Sequence, residues 1–230
     1  KHWFVSFGQL CRQQPLGAAG GLIVLVMLLA TVFANVLSPY DPEAASFEHM
    51  LMPPSADFWF GTDAFGRDIL TRIIYGARTA LFVGFTAAFV GATAGLVLGV
   101  ASAYYGGLFD LIFQRVVDVV MAFPLIVLAL AIVATLGAST VNVIIAITIP
   151  FIPQCARVVR SSALAIREIP YVDAARALGF GHARIILRHM VPNVMAPYLI
   201  MLTTFVGHAI LLEASLSYLG LGVQEPTPAW

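Results

Sequence analysis

The chain has 230 residues, 60% of them hydrophobic and only 10% charged, with a mean hydropathy of +0.92. Water-soluble domains carry roughly 25% charged residues, so the composition excludes a soluble globular protein and points to an integral membrane one. Twelve basic residues balance twelve acidic ones, so no bulk attraction to nucleic acid is implied.

Residues 1–15 hold Lys1, Arg12 and no acid. Leu16–Leu37 then runs for 22 residues without a charge. At about 1.5 Å per residue this reaches about 33 Å, enough to cross an apolar layer of roughly 30 Å. A signal peptide has a shorter apolar core and a small-residue cleavage site. Residues 16–38 therefore read as an uncleaved first span. Residues 39–78 form the longest polar interval, with Asp41, Glu43, Glu48, Asp57, Asp63 and Asp68 and the pair Pro53-Pro54. Near its end, Ile69–Ala77 has apolar residues at 69, 70, 73, 74 and 77. That is helical spacing, and a helix lying in the membrane interface is expected there.

Residues 79–103 form the second span. Gly91, Gly95 and Gly99 recur every fourth residue and Ala103 continues the row. Small residues on one face let another helix approach closely, so the row reads as a packing seam, with a pore lining as the alternative. A short loop is expected over 104–114, carrying Asp110. Residues 116–136 form the third span, kinked at Phe123-Pro124 because proline removes one ladder hydrogen bond. Arg115 and Asp118 stand at its entry. Gly137–Thr140 is a tight turn. Residues 141–156 form the fourth span, interrupted by Pro150 and Pro153; the interruption is a structural kink or lines a pathway. Residues 192–212 form the fifth span, and 213–230 an exit loop.

Ionisable residues inside spans are functional candidates by default. His208 is read as hydrogen-bonding a neighbouring helix, with a proton or substrate role as the alternative. Asp118 and Glu213 sit near predicted span ends and read as solvated or capping. His208 and Glu213 are the candidates for a translocation pathway. Nine of the twelve Lys and Arg residues (Lys1, Arg12, Arg115, Arg157, Arg160, Arg167, Arg176, Arg184 and Arg188) fall on one side of these spans, and Arg67, Arg72 and Arg78 on the other. The richer side is expected to be cytoplasm. The N-terminus and residues 157–192 are then inside, and residues 39–78 and 213–230 outside. Cys11 and Cys155 fall in or at the border of cytoplasm, where reduced thiols are expected. No metal-ligand spacing of Cys or His is present.

The inner stretch Tyr171–Pro192 is the longest surface-like interval outside the outer loop. Pro170 suits the first turn of a helix. Asp173 follows where the helix dipole favours an anion. Ala174, Ala175, Arg176, Ala177 and Leu178 are good helix formers. Gly179 suits the left-handed position just past a helix end. A second helix is expected over His182–Val191. Taken alone, the stretch also suits an ordinary amphipathic loop between spans.

Asp173-Ala174-Ala175, Gly179 and Val191-Pro192 resemble the Glu-Ala-Ala loop of bacterial ATP-binding-cassette (ABC) importer permeases. That pattern reads Glu-Ala-Ala, three residues, Gly, nine residues, Ile, one residue, Leu-Pro. This chain has Asp for Glu, His189 for Ile and Val191 for Leu, with the spacing intact. Phe60-Gly61-Thr62-Asp63 with Gly66-Arg67-Asp68, then Tyr75-Gly76-Ala77-Arg78, and Leu212–Gly222 resemble one branch, the DppC/OppC-like subunit of dipeptide and oligopeptide permeases. Together they cover most of the chain beyond residue 58.

The resemblance implies an all-α, polytopic transmembrane helical bundle of the type I ABC importer permease fold. Five spans are visible and a sixth is expected beyond Trp230. Residues 1–15 would be a cytoplasmic segment, 16–38 the first span, 39–78 a periplasmic loop with an interfacial helix, and 79–230 the permease core with its coupling loop at 157–192. It further implies ATP-driven import across the bacterial inner membrane. A homologous second permease, two ATPase subunits and an extracytoplasmic substrate-binding protein would be the partners. Tyr171, Asp173, Ala174, Ala175, Leu178 and Gly179 would form the coupling segment that docks on an ATPase.

The chain has no Gly-x-x-x-x-Gly-Lys-Ser/Thr stretch, so ATP and Mg are expected on the partner ATPases and no cofactor on this chain. No nucleophile–base pair is evident, so no catalytic residue is assigned. Di- or oligopeptides are the implied cargo, with nickel or glutathione as alternatives from related branches. A secondary transporter is the rival class. It would carry buried ion sites and inverted repeats, and neither is visible.

Overall fold

A bilayer core offers no water to backbone N–H and C=O groups, so a chain this apolar must satisfy them internally, and helices do so. The computed structural model describes residues 12–230. The expectations for Lys1 and Cys11, and for most of the 1–15 segment, lie outside these residues. Helices α1 (Pro15–Val32), α2 (Ala34–Leu37), α3 (Ile69–Tyr105), α4 (Gly107–Met121), α5 (Leu125–Leu136), α6 (Thr140–Arg167), α7 (Pro170–Ala177), α8 (His182–Ile185) and α9 (Met195–Tyr218) follow in order, and no strand occurs among the described residues. Among the described residues, four stretches are long and apolar enough to cross a membrane: α1, α3, α6 and the path from His182 to Tyr218. The bent pair α4–α5 makes a fifth. The described residues divide into two compact units, 82–224 and those up to 81 with 225–230.

The larger unit is built on α6. Ser139 caps it, its side chain accepting from the Asn142 amide at 3.2 Å. The Asn142 side chain in turn donates to the carbonyls of Leu136 and Gly137, both at 2.9 Å, which pins the turn from α5. Against α6 lies α3, along the glycine row. A Cβ added at Gly91 would stand 2.8 Å from the Phe151 Cβ. One at Gly95 would stand 2.6 Å from the Cys155 Cβ and 2.8 Å from the Ile152 carbonyl, and one at Gly99 would stand 2.6 Å from the Ala156 carbonyl. The two backbones thus approach as closely as hydrogen side chains allow. Phe151, which meets the seam at Gly91, also stacks on Phe205 of α9 with ring centroids 4.1 Å apart. Phe151, Cys155, Val159 and Ala163 of α6 are buried in one apolar core with Val83, Ala92 and Val100 of α3 and Phe205, Ala209 and Leu216 of α9.

Several boundaries differ from expectation. No separate interfacial helix covers Ile69–Ala77, which is the start of α3; the helix runs 37 residues without a break, about 55 Å at about 1.5 Å per residue. Asp68 opens it, accepting from the Thr71 amide at 2.8 Å. Arg78 does not interrupt it, because its Nε donates to the Thr31 carbonyl at 2.8 Å. The expected loop over 104–114 shrinks to a corner at Gly106 and Gly107, both with positive φ, and Asp110 lies in the first turn of α4. The kink at Phe123-Pro124 is present and large, an 88° bend between α4 and α5. Pro150 and Pro153 do not interrupt α6, which continues through both to Arg167. Both are buried, and a packed membrane helix tolerates the lost donors.

The helix after the glycine corner does not stop at Val191 before a new span. It passes through a π turn (Ile186–Met190) and a 3₁₀ turn (Val191–Val194) straight into α9. Pro192 is the cause: its ring crowds the carbonyl four residues back and it lacks an N–H, so the local winding changes. The His189 carbonyl, three residues before Pro192, accepts from side chains, Asn193 Nδ2 at 2.7 Å and the Tyr171 hydroxyl at 3.2 Å. Helix α9 then runs to Tyr218, so Glu213 is inside a helix and not in an exit loop. The helix ends with Gly220 at φ +76° and the Leu221 amide donating to the Leu216 carbonyl at 2.9 Å, a glycine-terminated cap.

The smaller unit wraps residues 39–68 around Arg67. Gly61 and Gly66 take φ of +75° and +72°. A Cβ at Gly66 would also collide with the Ser46 carbonyl, and one at Gly61 with that of Met52. Arg67 is 6% exposed; its Nε donates to Asp63 at 2.7 Å and its Nη1 to Glu225 at 2.6 Å. Arg72 donates to the Pro42 carbonyl at 3.0 Å. Trp230 lies over Gly76 and donates its indole N–H to the Ile73 carbonyl at 2.9 Å.

Burial alone would raise the pKa of Asp63, but the amides of Arg67 and Phe65 and the Arg67 guanidinium outweigh it and hold the carboxyl below its ordinary range. The stabilisation is therefore complete above the unfolded value of about 3.9 and is lost as pH falls through the lower folded value. Melting temperature in detergent is expected to fall below about pH 4. Asp63→Asn should lower it at pH 7 and flatten the acid limb; an unchanged acid limb would contradict the assignment. In the seam, Gly95→Ala should cost about 1–3 kcal/mol by overpacking. Gly207→Ala in α9, where nothing stands within 4 Å, should be neutral or slightly stabilising. Equal denaturation midpoints for the two variants would contradict the close approach.

Candidate functional site

The segment between α6 and α9 is assembled from local rules. Pro170 opens α7 with no donor to lose, Asp173 lies in its first turn and Arg176 in its last, the arrangement the helix dipole favours. Asp173 and Arg176 pair at 3.0 Å, both exposed. The helix closes on Gly179 at φ +78°. The Gly179 amide donates to the Arg176 carbonyl at 2.9 Å and the Phe180 amide to that of Ala175 at 3.1 Å. Only a left-handed residue permits this pair of bonds, and glycine adopts that conformation without steric cost.

One face of α7 is buried, through Val172 and Ala175. The other presents Tyr171, Asp173, Ala174 and Leu178. Leu178 is 74% exposed, a large apolar side chain at the tip of a short polar helix. Tyr171 is half-exposed but not free: its hydroxyl donates to the His189 carbonyl and accepts from Asn193 Nδ2 at 3.0 Å. On the other flank, the Tyr104 hydroxyl of α3 meets His182 Nδ1 at 2.7 Å, and Arg176 lies over the Tyr104 ring at 5.3 Å. Arg184 covers Phe180 at 4.9 Å. The result is a helix clamped along one side and open along the other, joined within a few residues to α6 and to the path into α9.

All six coupling-segment residues expected from sequence are on or next to α7, with Ala175 facing inward. The clamp residues Tyr104, His182 and Asn193 were not anticipated. The signal available was Asn193 directly after Pro192, where a freed carbonyl needs a donor. The remaining candidates do not join this site. Gly91, Gly95 and Gly99 lie in the α3–α6 seam. His208 is exposed on α9, not buried against another helix of this chain. Glu213 is fully buried, not solvated. Its Oε1 accepts from Ser217 at 2.8 Å, and Oε2 has no partner among the described residues. Asp118 is exposed and paired with Arg157 and Arg115. Among the described residues no group of three or more His, Cys, Asp or Glu side chains is placed to hold a metal.

Residues 91–230 match the family model described as binding-protein-dependent transport system inner membrane component. Residues 9–54 match the N-terminal transmembrane domain of oligopeptide transport permease C. A putative peptide transport system permease protein of Brucella suis is 48% identical over 212 residues, covering 90% of this chain and 71% of that one. The dipeptide transport system permease protein DppC of Alkalihalophilus pseudofirmus is 43% identical, covering 99% and 75%. The glutathione transport system permease protein GsiD of Escherichia coli is 39% identical, covering 98% and 75%. Among solved structures, the fold is similar to a chain of the inward-facing MetNI methionine ABC transporter, with TM-score 0.55 at 21% identity over 66% of this chain and 76% of the other. The chain belongs to the binding-protein-dependent transport system inner membrane components, as an ABC-importer permease of the dipeptide and oligopeptide branch.

Proposed function

We propose that α7 is the element through which ATP hydrolysis on separate subunits drives transport by this chain. The observation that carries the reading is the two-sidedness of α7. Val172, Ala175 and the Tyr171–Asn193 hydrogen bond fix it to the bundle, while Leu178 and Asp173 stand exposed at its free side. A short helix held on one face and gripped on the other moves as a lever. The arginine count supports a cytoplasmic location for this end of the bundle, where an ATPase would meet it. ATP and Mg bind on two such ATPases, and this permease pairs with a homologous second one.

The cargo we propose is a di- or oligopeptide brought to the outer face by a substrate-binding protein. The relatives that carry peptide, dipeptide and glutathione in their names support a small peptidic substrate. Nickel, from a related branch of the family, is the alternative cargo. Most specificity then resides in the binding protein, and few permease residues need touch the ligand. His208 and Glu213 remain the pathway candidates on this chain.

The test exploits Gly179. Nothing stands within 4 Å of a Cβ there, so a substitution is penalised by backbone conformation and not by collision. Gly179→Val should cost roughly 1–2 kcal/mol in the left-handed region and reshape the corner, lowering both ATPase co-purification and peptide uptake. Gly179→Asn, which tolerates that region better, should retain most of both. Normal co-purification and uptake with valine would remove the coupling role.

A further inference from the structure

Three helices meet at one carboxylate outside the segment described above. Asp110, in the first turn of α4, receives Nε of Arg160 from α6 at 2.6 Å and Nη2 of the same guanidinium. It also accepts from the Ser102 hydroxyl of α3, and Gln114 Nε2 donates to that hydroxyl at 3.5 Å. Ser102 is fully buried, and the Asp110 side chain is only 17% exposed. The neighbouring pair Arg157–Asp118 is about half exposed on both sides, where an ion pair contributes little. The Asp110 node differs in kind. It is partly buried, its guanidinium is held at two points, and the carboxylate has a third donor, so its geometry is fixed.

Its position follows the path a load on α7 would take. Helix α7 begins three residues after α6 ends. Along α6 the glycine seam clamps Phe151–Ala156 to α3. Arg160 is the next fixed point, one helical turn nearer to α7, and Arg167 Nη1 is a further one, donating to the Ala103 carbonyl at 3.0 Å. At the node, α6 is tied at once to the end of α3 and to α4, whose far end is the 88° elbow into α5.

We propose that the Asp110–Arg160–Ser102 node is the joint that passes displacement of α7 from α6 to α3 and to the α4–α5 elbow, which makes these three positioning residues of the transport cycle. The proposal rests on the reading of α7 as the docking element. A forked guanidinium resists sliding and rotation of α6 against α4, whereas a lysine at 160 would keep the charge but lose the fork. Stiffness at this point sets how much of each nucleotide-driven movement reaches the spans.

The test uses the whole transporter, reconstituted in vesicles with its second permease, ATPases and binding protein, and compares the parent with Asp110→Asn, Arg160→Lys and Ser102→Ala. Labelled dialanine accumulated per ATP hydrolysed is the first readout. Asp110→Asn and Arg160→Lys should lower it roughly three- to tenfold, Ser102→Ala less, in complexes that assemble. A merely structural node would reduce the amount of complex and leave the ratio in assembled complexes unchanged; that result overturns the proposal. The second readout needs no cargo: nitroxide labels at the exposed positions Val141 of α6 and Leu108 of α4 report an ATP-induced distance change. A parent that moves without accumulating dialanine shows that the cargo was misassigned. The node is still supported if Arg160→Lys reduces that movement and overturned if the movement equals that of the parent. Should Asp110→Asn fail to assemble, Ser102→Ala and Arg160→Lys decide between the same two results.

Discussion

The close approach of α3 to α6 is the constraint on which the larger unit depends. Lipid tails are as apolar as leucine, so no hydrophobic drive separates a helix–helix contact from a helix–lipid one, and association must come from packing and hydrogen bonds. Gly91, Gly95 and Gly99 supply the first: they remove the side chains that would hold the two backbones apart. Phe151, opposite Gly91 in that seam, adds a stacked pair with Phe205 of α9. Helix α6 is thereby a fixed axis, able to run past its apolar part to Arg167 and deliver α7 at its end. Without that axis, the exposed Leu178 and Asp173 would sit on a loop with no firm connection to the spans.

Polar contacts do a different job. They are concentrated where helices end or change winding: Ser139 and Asn142 at the start of α6, Asn193 and Tyr171 beside the π turn, Ser217 beside Glu213. Each answers a backbone group or charge that the local geometry would leave unpaired in a medium where such groups are costly. In the smaller unit the same logic is built around Arg67, which tethers residues 225–230 through Glu225.

Much of this was legible in the sequence because it follows from rules acting over a few residues. Pro170, Asp173 and Gly179 specify a short capped helix, and the four-residue glycine row specifies a face. Phe123-Pro124 specifies a bend. What was not legible depends on partners distant in the chain. Pro150 and Pro153 read as an interruption of α6, yet burial against neighbouring helices keeps the helix continuous. Arg78 reads as a boundary, yet the Thr31 carbonyl satisfies it and α3 passes through. Glu213 reads as solvated because it follows an apolar run, and only the extension of α9 to Tyr218 buries it. Tyr104 and His182, 78 positions apart, carry no local signal of their contact.

The central claim, that the free side of α7 faces the cytoplasm and is covered by an ATPase, has a direct measurement. Leu178→Cys, in a Cys11→Ser background, is exposed to a membrane-impermeant maleimide in right-side-out and inside-out vesicles, with the ATPases stripped and then restored. Labelling only in inside-out vesicles, suppressed when the ATPases rebind, is the predicted result. Labelling from the outer face, or labelling unaffected by the ATPases, would contradict the account.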